Sequence, residues 1–501
     1  MEQSLIDEIV AARSQAADGA RPDAVAAVRQ RGQLTARERI SVLVDEGSFI
    51  EYGVLAEGDP DSPGAAPADG LVGGVATIGG APAVVMSYDV SVHGGTQSRL
   101  NSRKIEKLIF LAHEHRWPFV CFADGDGTRV EARGGAGFFG GTAPFGVFDG
   151  LAELSGWAPT VAVIAGRARA GNAALALFCD FIVATTGSNL IAPSPAEGGD
   201  DAELPAEQHE KMGDVDLVVS DDAAAAAAVR AYLGYWATDL PSGTPAAGAD
   251  TIASIIPVNR RQAYDVRNVI SAFADQDTVF ELRPNWAKSL VTAFARLDGR
   301  AVGIFANQPR SSIGGALDSD ASDKLSRFVE LCDAYEVALV SFIDNPGYMV
   351  GPDAERAGIA RHHGRPLAAL QARTVPLCSV QIRKAYGLGP FAMSGYGANR
   401  LVPELRLAWP TVETGGMSLE GAASLVRRKE ILAATSQEEI NAIREDYART
   451  VRGLTSGIRA GRTYSFDDIV LPEETRNRIA SFLKLVPRSL PPEKKHYIDS
   501  L

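Results

Sequence analysis

The chain has 501 residues, a formal net charge of −13, and 46% hydrophobic and 22% charged content. That length exceeds one ordinary hydrophobic core, so two domains are expected. The acidic balance excludes general nucleic-acid affinity, which needs a basic face. No apolar stretch is long enough to span a bilayer.

The first residues, MEQSLIDEIVAARSQ, are acidic and helix-like rather than a signal peptide. Apolar positions recur at helical spacing there and in ARERISVLVDEGSF, so residues 1–47 read as a helical segment. Thr35, with Glu38 three residues on, predicts a capping box. From 48 to 238, short apolar runs (APAVVM, FVCFA, TVAVIA) alternate with helical stretches such as SRKIEKLIFLAHEH. That alternation predicts βα units and parallel pairing. DDAAAAAAVRAYLGYW is a strong helix former. Residues 239–257 lie in a stretch rich in Pro, Gly, Ala and Ser and read as a linker. The second domain takes 258–501, with two helices near its end in SQEEINAIREDYARTV and LPEETRNRIASFLKLV. Cys121, Cys179, Cys332 and Cys378 stand apart inside apolar runs, which fits buried thiols in the cytoplasm and no zinc ribbon.

The two halves repeat. VCFADGDGTR ends an apolar run at Asp124, and LVSFIDNPGYMVG ends one at Asp344. Gly171 is answered by Gly387, and Gly80 by Gly299, at nearly the same offset. Near-constant offsets predict two copies of one fold.

In GRARAGNAALALFCDFIVA a strand ends near Ala165 and a helix begins near Gly171. Backbone N–H groups at a helix start are unpaired and point outward. They can hold an anion or a developing oxyanion without an ionisable side chain. The loop DGDGTR, 124–129, can supply a second N–H. Arg167 and Arg169 flank this turn and can meet phosphates or pair on the surface. Arg383 and Lys384 precede the second turn and are expected to brace it, with Asp344 as partner. His362 and His363 lack a third ligand, so no metal site is expected.

GRARAGNAALALFCDFIVA resembles the crotonase-superfamily signature, a small-residue turn entering a helix that ends in an apolar-Cys-Asp step. Matches spread over almost the whole chain. They include RGQLTARERISVLVDEGSFIEYG, DGLVGGVATIGGAPAVV, YDVRNVISAFAD, FARLDGRAVGIFANQP, DASDKLSRFVELCDAYEVALVSFIDNPGYMVG, IRKAYGLGPFAMS, AWPTVE and DDIVLPEETR. On these residues the chain resembles the carboxyltransferase (β) subunit of biotin-dependent acyl-CoA carboxylases of the propionyl-, acetyl- and methylcrotonyl-CoA type, as a divergent member.

The resemblance implies an α/β fold of tandem duplicated crotonase-like (ClpP/crotonase) ββα-spiral domains. It implies carboxyl transfer from biotin on a partner, the biotin carboxylase and biotin-carrier α subunit, to the α-carbon of an acyl-CoA. The first half would bind the CoA thioester and the second the biotin, with the site between subunits of a homohexamer. Carboxybiotin would release CO₂, leaving a ureido nitrogen to take the α-proton before the enolate captures CO₂. Two oxyanions then need stabilising, each lost donor being worth roughly 3 kcal/mol. The cofactor supplies the base, so neither a metal nor a His or Cys nucleophile is implied. By position, Gly171 and Asn172 match the first hole, with Gly127, Thr128 and Arg129 in its companion loop. Leu388 and Gly389 match the second, with Gly347 and Tyr348 in the companion loop and Tyr386 and Phe391 beside it.

The chain departs from the family at several of these positions. Asp126 puts a negative charge in the first companion loop, unfavourable unless it points away or pairs with Arg129. In Gly387-Leu388-Gly389-Pro390, Leu does not readily take φ > 0 and Pro lacks an N–H, so a reshaped biotin-side hole is expected. Phe391 stands where family members select acyl length. The acidic stretch 194–216 makes phosphate binding through it unfavourable. Two alternatives follow: a decarboxylase or crotonase-like enzyme acting on a malonyl-type thioester, and a scaffold that has lost its chemistry.

Overall fold

Each half of the chain folds around one sheet, and the two sheets share one strand order. The computed structural model describes residues 2–57, 66–129, 146–191, 203–236, 240, 243–246, 248–260, 262–395, 402–452, 456–488 and 490–499. The first sheet draws on β1 (Ile50–Glu51), β2 (Leu71–Ile78), β3 (Ala81–Tyr88), β4 (Phe119–Phe122) and β5 (Thr160–Ile164). After β6 (Arg167–Arg169) come β7 (Phe181–Thr185), β8 (Asn189–Ile191) and β9 (Leu217–Val219). Its order is β1-β2-β3-β4-β5-β7-β9, while β6 and β8 form a separate pair. The β1–β2–β3 pairings are antiparallel and the rest parallel.

The second sheet uses β10 (Phe280–Leu282), β11 (Leu290–Leu297), β12 (Arg300–Asn307), β13 (Ala338–Asn345) and β14 (Leu377–Tyr386). It continues with β15 (Glu404–Ala408), β16 (Glu413–Gly415) and β17 (Asp468–Ile469). The order β10-β11-β12-β13-β14-β15-β17 repeats the first, again antiparallel at its start and parallel afterwards. The parallel strands FVCF, TVAVI and FIVAT are buried at every position, as strands covered on both faces must be.

The crossover helices follow from local chemistry. Ser98 caps Arg99–His115 by accepting from the Leu100 and Asn101 N–H groups. Asp318 caps Ser319–Ala334 through the Ala321 N–H. Ile105, Leu108, Ile109 and Ala112, at i, i+3, i+4 and i+7, pack with Met86, Phe119, Cys121 and Leu154. In the second half Phe273, Val302, Val340, Phe342 and Trp409 belong to the matching core. Each large side chain so buried contributes roughly 1.5–3 kcal/mol.

Polar devices repeat as well. The hairpins turn on Gly79–Gly80 (φ 60° and 82°) and on Asp298–Gly299 (φ 54° and 82°), two-residue turns whose twist suits the strands. Asp45 accepts from both glycine N–H groups and from Thr77, and Arg230 pairs with it at 3.2 Å. Asp275 accepts from the Asp298 and Gly299 N–H groups, and Arg476 pairs with it at 2.5 Å. The ammonium of Lys104 donates to the carbonyls of Gly53, Ala68 and Leu71. Lys324, its counterpart in the second half, donates to those of Arg283, Trp286 and Leu290. In both units one ammonium thus ties the turn before a strand to the first carbonyl of that strand, Leu71 or Leu290.

By contact density the chain separates into Met1–Ala237 with Pro492–Ser500, and Thr238–Pro491 with Leu501. Two stretches differ from the sequence division. Residues 239–257 fall in the second unit, where Ala249–Ile255 is a 3₁₀ helix with Ile252 buried. Residues 492–499, placed by sequence in the second domain, return to the first unit. There Lys494 donates to the Ala152 carbonyl and the Ile498 N–H to Ser155. No helix among the described residues is long and apolar enough to cross a membrane.

Candidate active site

The first candidate site begins at Asp124, just past β4. Its carboxylate is 1% exposed and lies 2.6 Å from Arg39, which also holds Asp222 at 2.7 Å. The other Asp124 oxygen accepts from the N–H groups of Ala165 and Gly166, fixing the end of β5. Past β6 the chain reverses at Ala170, where φ is 46° and ψ −117°. A non-glycine residue there is strained, as backbones at functional turns often are. The helix Gly171–Leu177 starts at once, and no side chain caps it. The Gly171 and Asn172 N–H groups have no acceptor among the described residues. They sit at the positive end of the helix dipole.

The companion loop is held against this helix start. The Gly127 N–H, at φ 81°, donates to Asn172 Oδ1 at 3.1 Å. The Gln97 N–H donates to the Gly127 carbonyl at 2.7 Å, and the Arg129 N–H to that of Gln97 at 2.8 Å. Between them the Thr128 N–H has no acceptor among the described residues. The loop's N–H without an acceptor is therefore that of Thr128 rather than that of Gly127, which is spent on Asn172.

The second unit repeats the arrangement. Asp344, 1% exposed, pairs with Arg383 at 2.9 Å and accepts from the Lys384 N–H, so the expected bracing is present. The chain leaves β14 through Gly387, φ 65°, and enters the helix Gly389–Ser394 from Leu388. Gly387 thus matches Ala170 rather than Gly171, while Leu388 matches Gly171 and Gly389 matches Asn172. Leu388 has φ −83° and carries no left-handed strain, contrary to expectation. Gly387 takes the positive φ instead. Pro390 stands in the first helical turn, where its missing N–H would have no helical partner anyway. The Leu388 and Gly389 N–H groups have no acceptor among the described residues. The Gly347 N–H donates to Asn345 Oδ1 at 2.6 Å, and the Leu317 N–H to the Gly347 carbonyl. The Tyr348 N–H has no acceptor among the described residues.

Several side chains expected to face substrate are committed elsewhere. Arg129 is buried, with its guanidinium on Asp69 at 2.5 Å and on Thr96, where it clamps the left-handed Ala68–Asp69 turn. It therefore does not neutralise Asp126, which is exposed and whose carboxylate lies over Gly94. Arg167 and Arg169 both pair with Glu203, a residue of the acidic stretch whose positions 194–202 lie outside the described residues. Their charge is met by that carboxylate rather than held open for phosphates. The Tyr386 hydroxyl bonds Glu413, itself paired with Arg260 at 2.9 Å. Burial, then Glu413, pushes that hydroxyl well above its ordinary range. Tyr348 donates to the His363 carbonyl at 3.1 Å. Phe391 is 39% exposed, so it is not a core aromatic. It borders a cavity of about 200 Å³ with Gln381, Pro390, Ser394 and Arg406.

The sequence reading missed Gln97, Asn345, and Arg39 with Asp222. The repeat could have pointed to Asn345, since it follows Asp344 as Gly125 follows Asp124. His362 pairs with Asp323 at 2.8 Å, and the described residues hold no cluster of three or more His, Cys, Asp or Glu placed to bind a metal.

Comparison with known proteins agrees with this geometry. The model of the carboxyl transferase domain matches residues 27–497. The chain is 34% identical to the methylmalonyl-CoA carboxyltransferase 12S subunit of Propionibacterium freudenreichii subsp. shermanii, over 93% of this chain and 91% of that one. It is 31% identical to the propionyl-CoA carboxylase carboxyltransferase subunit of Haloferax mediterranei, over 98% of each. Among solved structures, transcarboxylase 12S superposes with a TM-score of 0.85 at 32% identity, covering 99% of this chain and 96% of that one. A single-chain, multi-domain long-chain acyl-CoA carboxylase superposes with a TM-score of 0.88 at 36% identity over 96% of this chain. This chain spans half of that protein's length. Two crotonase-like units, each with outward backbone donors at a helix start, and a family match over nearly the full length lead to one conclusion: the chain belongs to the carboxyl transferase family and is a carboxyltransferase subunit of the acyl-CoA carboxylase type.

Proposed function

We propose that the first unit stabilises the enolate of an acyl-CoA thioester on the N–H groups of Gly171, Asn172 and Thr128. In this reading the second unit receives biotin on those of Leu388, Gly389 and Tyr348. One observation carries the proposal: N–H groups with no acceptor among the described residues recur at matching positions of the two units, at the helix start and in the companion loop. Biotin borne by a partner would supply the carboxyl group as CO₂ and, once that group has left, a ureido nitrogen basic enough to take the α-proton. The chain's own residues supply fixed dipoles. An enolate oxygen between Gly171 and Thr128 gains charge as the α-proton leaves, and amides already oriented toward it need no reorganisation. Loss of one such donor costs roughly 10²–10³-fold in kcat. The α-carbon then forms its bond to CO₂ and the thioester carbonyl re-forms.

The partner in this reading is a biotin carboxylase and biotin-carrier α subunit, and the assembly is a homohexamer. Transcarboxylase 12S, a hexamer solved with methylmalonyl-CoA bound, supports both the assembly and the class of ligand. Phe391 is exposed in the second unit's helix, at the position where the resemblance puts acyl-length selection, and its ring is read as restricting that pocket to short acyl groups. The test is reconstitution with an α subunit, ATP, labelled bicarbonate and acyl-CoAs of increasing length. Acid-stable label in a short-chain product, abolished by avidin, is expected. No acid-stable product across the panel overturns the proposal.

A further inference from the structure

The two companion loops are set by asparagines that come from opposite sides of the same contact. In the first unit, Asn172 on the helix reaches over Gly125 in the loop. A Cβ on Gly125 would lie 2.4 Å from Asn172 Nδ2. In the second unit, Asn345 in the loop reaches over Gly389 on the helix. A Cβ on Gly389 would lie 2.5 Å from Asn345 Oδ1. Gly125 and Asn345 occupy matching positions, each directly after the buried aspartate, and Asn172 and Gly389 match at the helix start. The Gly/Asn pair is therefore exchanged between the halves, and the amide fills one volume in both.

Each amide makes the same bond. Asn172 Oδ1 accepts from the Gly127 N–H at 3.1 Å, and Asn345 Oδ1 accepts from the Gly347 N–H at 2.6 Å. Both asparagines are 0% exposed, so neither can meet a ligand directly. Asn345 Nδ2 has no partner among the described residues, and Asn172 Nδ2 has only a long contact of 3.4 Å to the Gly95 carbonyl. A buried amide that leaves its donor side weakly used is retained for its acceptor. Gly127 and Gly347 sit at φ 81° and 121°. With the glycine N–H engaged by the asparagine, the next N–H, that of Thr128 or Tyr348, is the one left without an acceptor among the described residues.

We infer that Asn172 and Asn345 are positioning residues for carboxyl transfer: each fixes its companion loop by an interchangeable Gly/Asn contact, so that the following amide faces the reacting oxygen. The inference rests on the oxyanion reading above. The second unit offers the clean test, because the three atoms nearest a Cβ on Gly389 all belong to Asn345.

The test uses Asn345→Gly, Gly389→Asn and the double exchange in the reconstituted holoenzyme. Asn345→Gly is expected to lower kcat by about 10²-fold, since roughly 1 Å of misplacement has that effect, with the KM for acyl-CoA unchanged. Gly389→Asn is expected to fail by overlap. The double exchange, which installs the first unit's arrangement, is expected to restore most of kcat. Hydrogen exchange at the Gly347 amide gives a readout independent of turnover: protection falls in Asn345→Gly and returns in the double exchange. Wild-type kcat in Asn345→Gly, or no recovery in a double variant that assembles normally, overturns the inference. A wild-type complex that fixes no label while Gly347 exchange follows the expected pattern refutes the oxyanion reading and leaves the loop contact standing. Unchanged exchange in Asn345→Gly refutes the contact itself.

Discussion

Replacing Gly171 by alanine isolates the geometry of the first site from the stability of the fold. The methyl carbon would lie 2.0 Å from Gln97 Oε1 and 2.9 Å from Gln97 Cδ. Contacts under 3.0 Å are essentially never made by real Cβ atoms, so the neighbours must yield by a comparable amount. Gln97 cannot yield freely. Its side-chain amide donates to the Tyr88 hydroxyl at 3.2 Å, and its backbone bonds Gly127 and Arg129 on either side of Thr128. The displacement therefore falls on the helix start, on the companion loop, or on both, which are the two sources of donors. An error of about 1 Å at such a site costs about 10²-fold, or roughly 2.7 kcal/mol in the barrier. Backbone strain does not contribute, because Gly171 lies outside the left-handed region. Alanine is also the better helix former by about 1 kcal/mol. The expected outcome is kcat down about 100-fold for labelled bicarbonate fixed into acyl-CoA, with a normal assembly. Gln97→Ala in the same background returns the space and should restore part of the rate. A Gly171→Ala enzyme within about threefold of wild type would refute the reasoning, since transition-state contacts must show in kcat.

Three further outcomes follow from the same structure. Arg383→Met removes the closest cation from buried Asp344 and leaves it the Lys384 N–H and the Lys384 ammonium at 3.7 Å, which should cost about 3–5 kcal/mol in urea unfolding; Asp344→Leu in that background should recover much of it. Lys104→Met leaves the Leu71 carbonyl, and Lys324→Met those of Trp286 and Leu290, without the ammonium they accept from, at about 1–3 kcal/mol; hydrogen exchange should rise around 66–71 in the first and around 283–290 in the second. Glu38 is held below its ordinary value of 4.5, first by the Thr35 N–H and then by Arg29. Its folded pKa lies under the unfolded one, so its stabilisation is complete above about pH 4.5 and fades as pH falls through the folded value. Glu38→Gln should therefore be less stable than wild type at neutral pH, and the gap should close in acid melts.

Local signals were legible in the sequence wherever one segment decides its own structure. Thr35 and Glu38 form the capping box that their spacing predicts. SRKIEKLIFLAHEH lies in the helix Arg99–His115, and the Ala-rich run is the helix Asp222–Gly234. Asp344 and Arg383, expected as partners, pair because the strands bearing them are neighbours. Contacts between distant loops were not legible. Nothing near Arg129 announces Asp69, far back in the chain, and nothing in GNAAL announces that Asn172 will accept from Gly127. The turn itself was misaligned because glycine is the usual sign of a left-handed residue. The first half puts Ala170 there and the second Gly387, so matching glycine to glycine shifted the register by one position.

What the two halves hold in common explains why their side chains differ. Asp124 and Asp344 occupy one position and fix the neighbouring strand end in the same way. Asp124 takes its arginine from the helix Ala36–Leu43, whereas Asp344 takes Arg383 from the next strand. Asparagine comes from the helix in one half and from the loop in the other. A charge or an acceptor can be supplied from any element that reaches the spot, so its source drifts without loss. The amide at a helix start cannot be supplied from elsewhere, because its direction is that of the chain. The constant features are therefore backbone features: one strand order, one strand-to-helix turn, one companion loop whose N–H has no acceptor among the described residues. The proposed chemistry, which needs two oxyanions stabilised and takes its base from a partner, would ask for those features twice. It asks little of the side chains beyond holding them in place.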